Sequence, residues 1–196
     1  PSGTLFPLLA GQMSRKSNIL LYKKVLKYID NKQAARFSQF NQLPKMGEIL
    51  RVLNKYRLLP VIFFLKSRAD CDNALGLCPK TAINDDPERK KQRLRRIDKL
   101  VADTPHIADH KQMKYLKHVG VAAHHSGQLP AWKLLIETLM TEGLLDAVFA
   151  TSTVAAGVNF PARTIAFLNS DRFNGREFVP LTPTEFHQMT GRAGRR

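Results

Sequence analysis

Towards the C-terminal end of the sequence, Gln188, Gly191, Arg192, Gly194 and Arg195 form a Q-x-x-G-R-x-G-R string. Arginine keeps its charge and presents a planar fork of N–H donors that matches phosphate oxygens. Glycines beside it let another surface approach closely. Just upstream, Thr182-Pro183-Thr184-Glu185 fits a capping box with proline at the first helical position, so a helix is predicted to start at Pro183. On that helix Gln188 and Arg192 are four apart and Arg192 and Arg195 three apart, so all three share one face. A single arginine there would be explained by the helix dipole alone. The Gly-Arg-Ala-Gly-Arg pattern after a glutamine points instead to a triphosphate presented by a neighbouring surface.

Three further segments carry phosphate-friendly groups. Ser67-Arg68 follows one apolar run, His124 to Pro130 follows a second, and Thr151 to Asn159 follows a third. Ser126 and Gly127 offer a hydroxyl and an accessible N–H just before Pro130, which suits a helix start. Thr151, Ser152 and Thr153 place hydroxyls in a row, and Gly157 permits a tight turn. Each segment alone is an ordinary strand-to-helix loop. Ligands of open parallel sheets bind beyond the carboxyl ends of the strands, so three such segments in order define one candidate edge.

The elements that must position them read as follows. Pro60 to Leu65 is a short continuous apolar run, as expected of a strand buried on both faces of a parallel sheet. Further strands are predicted at Val119–Ala123, Ala147–Ala150 and Thr164–Leu168. Helices are predicted at Ser17–Ile29, Met46–Tyr56, Arg68–Leu75, Lys111–Lys117 and Pro130–Thr141 from apolar residues at three- and four-residue spacing and from flanking breakers. Strands alternating with helices give an α/β fold with an open, mostly parallel sheet flanked by helices. Residues 1–57 read as a linker and N-terminal helical arm, and residues 58–196 as one domain. Glu88 to Leu100 is a basic helix with a narrow apolar edge of Leu94, Ile97 and Leu100. It has two readings: a polyanion-binding helix, or a surface helix docked by that edge.

Composition limits the remaining classes. The chain has 196 residues, 43% of them apolar, and a net charge of +15. Residues 1–120 hold 24 Lys/Arg against 10 Asp/Glu, while residues 121–196 hold 7 against 6. The basic excess therefore lies upstream of the motif-rich half, and it suits contact with a polyanion through its phosphates. The longest apolar stretch, Leu58 to Leu65, is too short to span a bilayer, so no membrane partner is expected. The two cysteines, Cys71 and Cys78, fit a reducing compartment, with a disulfide possible but not required. No metal site is expected, because His124 and His125 are adjacent and point in different directions on a strand. A start at Pro1 with no signal peptide reads as a segment of a longer protein, cytoplasmic, or nucleoid or nuclear according to the parent.

Taken in order, these segments resemble the helicase motifs of superfamily 2. Residues 60–68 are similar to motif IV, 121–130 to motif IVa, 149–162 to motif V and 188–195 to motif VI. The chain thus resembles the second RecA-like domain of a DExH-box helicase of the superkiller (Ski-like) family, over about residues 58–196. The resemblance implies that Arg192 and Arg195 reach the γ-phosphate of ATP, one as an arginine finger, and that Gln188 contacts the γ-phosphate region or orients the attacking water. It implies that Gly157, Asn159 and Gly191 line or couple to the nucleotide cleft. Ser67, Arg68, His125, Ser126, Gly127, Thr151, Ser152 and Thr153 would hold phosphates of one strand.

No G-x-x-x-x-G-K-[ST] loop and no Asp-Glu-x-His segment occurs in the sequence. ATP and Mg²⁺ would therefore be held mainly by the first RecA-like domain of the same parent chain, and this segment alone would not hydrolyse ATP. Single-stranded or partly duplex nucleic acid is the implied partner. The alternative is a RecA-like module that binds nucleic acid or protein without ATP chemistry. A metal-dependent nuclease would need a carboxylate cluster, which the sequence lacks.

Overall fold

The computed structural model describes residues 45–81, 83, 86–152 and 160–191. The helix expected over Ser17–Ile29 lies outside the described residues, as do Thr153, Gly157, Asn159, Arg192 and Arg195.

Four parallel strands form the centre: β1 (Val61–Leu65), β2 (Val121–His124), β3 (Ala147–Thr151) and β4 (Thr164–Phe167), in the order β2-β3-β1-β4. Val61 pairs with Ala147 on one side and Thr164 on the other, and Val121 also pairs with Ala147. The strands therefore start and stop together, and their carboxyl ends form one edge. Every residue of β1, β2 and β3 is buried, as continuous apolar runs require. The expected α/β fold with a parallel sheet is what forms, consistent with a RecA-like domain.

Alternate residues feed two apolar layers. Val61, Phe63, Leu65, Val121, Ala123, Ala147 and Phe149 face one layer with α1 (Met46–Lys55) and α2 (Arg68–Gly76). Ile62, Phe64, Ala122, Val148 and Ala150 face the other with α3 (Pro87–Asp103), α4 (Met113–His118), α5 (Pro130–Thr141) and α6 (Pro183–Thr190). Phe63 and Phe149 stack across neighbouring strands at 5.3 Å between ring centroids, which anchors the first layer. Met46 and Leu50 of α1 are fully buried in that layer. Cys71 and Cys78 are free and buried in it too, and burial pushes the Cys78 thiol up to about 12, so both act as apolar fillers.

Local chemistry sets the helix starts. Ser67 caps α2 by accepting from the Asp70 N–H (3.1 Å), and Asp86 caps α3 with Pro87 following. The capping box of α6 forms as predicted: Glu185 N–H donates to Thr182 Oγ1 (3.3 Å), and Thr182 N–H donates to Glu185 Oε2 (2.9 Å).

Two features differ from expectation. β5 (Asp171–Phe173) and β6 (Phe178–Pro180) form an antiparallel hairpin where no strands were predicted. Asn174 makes its turn, its Oδ1 accepting from the N–H groups of Arg176 (2.9 Å) and Glu177 (3.0 Å). The basic helix α3 is docked, but by more than its apolar edge. Arg89 and Arg93 face inward above Ile97, spaced four apart, and bond to the segment that leads into β3.

Candidate nucleic-acid interface

The carboxyl ends of β1, β2 and β3 open onto a groove of about 560 Å³. Lys66, Ser67 and Arg68 line it from the loop after β1, Ser126 from the loop after β2, and Thr151 and Ser152 from the end of β3. Phe173, Asn174 and Gly175 of the hairpin form the opposite wall. Five residues expected to contact phosphate, Ser67, Arg68, Ser126, Thr151 and Ser152, thus meet around one space. The lining combines two cations with four hydroxyl-bearing residues; Ser67 Oγ donates to Asp70 Oδ2 (2.8 Å), so the cations carry most of its suitability for phosphate oxygens.

The hairpin is held to this edge. Phe173 N–H donates to the carbonyl of Lys66 (2.9 Å), and the Lys66 ammonium lies 5.1 Å from the Phe178 ring centroid. Phe173 and Phe178 are 46% and 51% exposed, so they contribute little to the core and stand open beside the groove. Sequence reading placed no site residue here. The signal was the Asn174-Gly175 pair after Phe173, a common turn pattern.

Two expected residues take other positions. His125 is only 5% exposed and sits under the loop, with Nδ1 accepting from the Gly127 N–H (3.2 Å) and Nε2 3.5 Å from Asp72 Oδ1. Gly127 lies against Arg68: a Cβ there would stand 3.2 Å from Arg68 Cδ and 3.3 Å from Nη1. Its lack of a side chain lets the arginine cross the loop. His124 points into the other layer, bonded to Glu137 (2.8 Å) and edge-on to Phe160. Burial holds both histidines below the usual imidazole range, against the pull of Glu137 on His124 and Asp72 on His125.

Met189 is fully buried among Phe64, Ala150 and Phe160, which seats α6 near the same edge; Gln188 beside it is exposed. Gly191 caps the C-terminal end of this helix, its N–H bonded to His187 O (2.9 Å). Among the described residues, no group of three or more His, Cys, Asp or Glu could hold a metal ion, and no helix is long and apolar enough to cross a membrane.

The sequence is similar to those of several helicases. The chain is 39% identical over 163 residues to the probable helicase HelY of Mycobacterium tuberculosis (strain ATCC 25618 / H37Rv), a match over 80% of this chain and 18% of that protein. It is 39% identical over 156 residues to the DExH-box ATP-dependent RNA helicase DExH15 of Arabidopsis thaliana, over 80% of this chain and 13% of that protein. The exosome RNA helicase MTR4 of Homo sapiens is 37% identical over 155 residues, over 76% of this chain and 15% of that protein. The chain belongs to the DExH-box helicase family. This DExH-box helicase domain spans less than a fifth of the length of these relatives. No protein-family model matches it.

Proposed function

We propose that the chain is the second motor domain of an ATP-dependent nucleic-acid helicase, with residues 58–196 as its body and α1 docked on it. The observation that carries this reading is the groove, where loops from three parallel strands bring Lys66, Arg68 and four hydroxyl-bearing residues together. Contacts of that kind grip a backbone without reading sequence. Ser67, Arg68, Ser126, Thr151 and Ser152, with the Gly127 loop and Thr153, hold phosphates of one strand. His125 supports the loop from below.

Gln188 on exposed α6, and Arg192 and Arg195 beyond it, face the γ-phosphate of ATP held by the first RecA-like domain. Gly191 keeps that approach open, and Gly157 and Asn159 link the nucleotide side to the strand side. Arginines in this role act by placing fixed charge where negative charge develops. The magnesium ion that accompanies ATP in such helicases is assigned, by the resemblance, to the first domain. ATP closes the two domains on the strand, and hydrolysis releases them. The chain alone does not turn over ATP.

The test uses the parent helicase. Arg195→Ala should lower ATPase turnover by about 10³-fold or more while strand affinity persists. Arg68→Ala should do the reverse, weakening single-strand affinity with basal turnover kept. Full turnover in both the Arg192→Ala and Arg195→Ala variants would remove the finger role and leave a binding module. Helicase-like turnover by the 196-residue chain alone would overturn the assignment.

A further inference from the structure

Asp72 lies outside every segment to which the sequence assigned a role, yet three donors converge on its carboxylate. Gln112 Nε2 donates to Oδ1 (2.8 Å), Lys111 Nζ to Oδ2 (3.1 Å), and His125 Nε2 stands 3.5 Å from Oδ1. Gln112, only 2% exposed, uses its own carbonyl to accept from the Ala123 N–H of β2 (3.1 Å). Asp72 therefore joins α2, the segment before α4 and the loop after β2.

The protonation of His125 follows from its neighbours. Its Nδ1 accepts from the Gly127 N–H, and a ring nitrogen that accepts carries no proton. The neutral ring is therefore protonated on Nε2, the atom facing Asp72. A second proton on Nδ1 would set two donors against each other and break the Gly127 bond. Burial disfavours that doubly protonated form, as do the charges of Arg68 and Lys111, while Asp72 favours it and His110 lies close by. Arg68 and Asp72 are four apart on α2 and share one face. The loop carrying His125 and Gly127 is clasped between them, with Gly127 against the Arg68 stem.

We propose that Asp72 is a positioning residue for the groove: it holds His125 in the Nε2–H form, which fixes the Gly127 amide and, through it, the Arg68 guanidinium. The inference rests on the reading of this groove as the strand-binding surface. Asp72 touches no strand itself. An asparagine in its place could keep the Oδ1 acceptor that faces His125 and Gln112, whereas an alanine accepts from none of the three neighbours.

The experiment uses the 196-residue chain and a fluorescently labelled single-stranded oligonucleotide, with nitrogen NMR of the imidazole rings as a second readout. D72A should weaken binding about fivefold, the scale of one lost hydrogen bond, and should turn His125 into a mixture of its two neutral forms. In H125N the new side-chain carbonyl takes the place of Nδ1, so affinity should hold, and adding D72A should then change nothing further. D72A that binds as tightly as the parent chain, or that weakens binding equally in the H125N background, would overturn the proposal. Should D72A fail to fold, H125N is compared with H125L: affinity kept by the first and lost by the second supports the relay, and equal affinity overturns it. R68A is the control for the groove itself. If R68A leaves affinity unchanged, the strand-binding reading falls and the relay falls with it. If R68A weakens binding and D72A does not, the relay alone fails.

Discussion

Arg89 Nη1 and Asp146 Oδ1 lie 2.5 Å apart although 57 residues separate them in sequence. The Asp146 side chain is 1% exposed. Arg89 also donates to the carbonyls of Gly143 (2.8 Å) and Leu145 (2.8 Å), and Arg93 to those of Leu144 (3.3 Å) and Lys117 (3.3 Å). Two arginines of α3 thus close the backbone groups left open where β2 and β3 begin. The basic helix is fastened at the amino ends of the strands, the edge opposite the groove.

Removing one partner of this buried set leaves charge without compensation. Asp146→Ala should cost about 3–5 kcal/mol in denaturant unfolding. Arg95→Ala, at an exposed position of the same helix, should stay within about 0.5 kcal/mol. Similar costs for the two would mean that the pair contributes little.

Gly120 turns the chain into β2 with φ +79, and a Cβ there would stand 2.6 Å from Arg93 Nη1. Gly143 has φ +71 with open space around it. Gly143→Ala should therefore show only the backbone strain of about 1 kcal/mol, and Gly120→Ala clearly more, because Arg93 must also move. Equal melting temperatures for the two variants would rule out the contact as the cause.

Burial lowers the proton affinity of His110, His124 and His125. Below the usual histidine pKa of about 6.5 the unfolded chain binds protons that the folded rings refuse, so stability falls as pH drops through that value. It stops falling once the pH is below the folded values. A melting series from neutral to mildly acid pH should show this decline before the carboxylates titrate. Asp72 contributes in a separate, lower window. Although burial opposes it, Lys111 and His125 hold its carboxyl below the ordinary range, so its contribution is present above that range and lost as pH falls beneath it. In H125N the decline near pH 6 should be shallower; an unchanged slope would exclude His125 as a source.

Thr182→Ala removes the side-chain acceptor of the capping box and should cost about 1 kcal/mol, with a range of roughly 0.5–2. Thr182→Ser keeps the acceptor and should restore most of it. A serine variant no better than alanine would place the stabilisation elsewhere.

The sheet and most helices were legible because burial leaves a direct mark on composition. Pro60 to Leu65 and Ala147 to Ala150 admit no polar residue, and Pro130 and Pro183 announce helix starts. The hairpin left no such mark. Its strands are three residues each, and Phe173 and Phe178 are half exposed, so no alternation separates an inner from an outer face. The inward arginines of α3 were hidden for a different reason. Arg89 and Arg93 are the same residue type as the exposed Arg95, and only the carbonyls beneath them distinguish their roles. At the groove, spacing after each strand located Ser67, Arg68, Ser126, Thr151 and Ser152. It could not show that His125 turns inward, because that depends on Asp72 from a different helix.

Glu185 closes the cap of α6 and is also the ion-pair partner of Arg172 on β5. One half-buried carboxylate therefore joins the hairpin wall of the groove to the first turn of the helix that carries Gln188. Phe186 of the same helix stacks on Phe167 of β4 at 4.9 Å, which ties α6 to the central sheet. Loss of the Glu185 carboxylate would therefore loosen the hairpin wall and the start of α6 together.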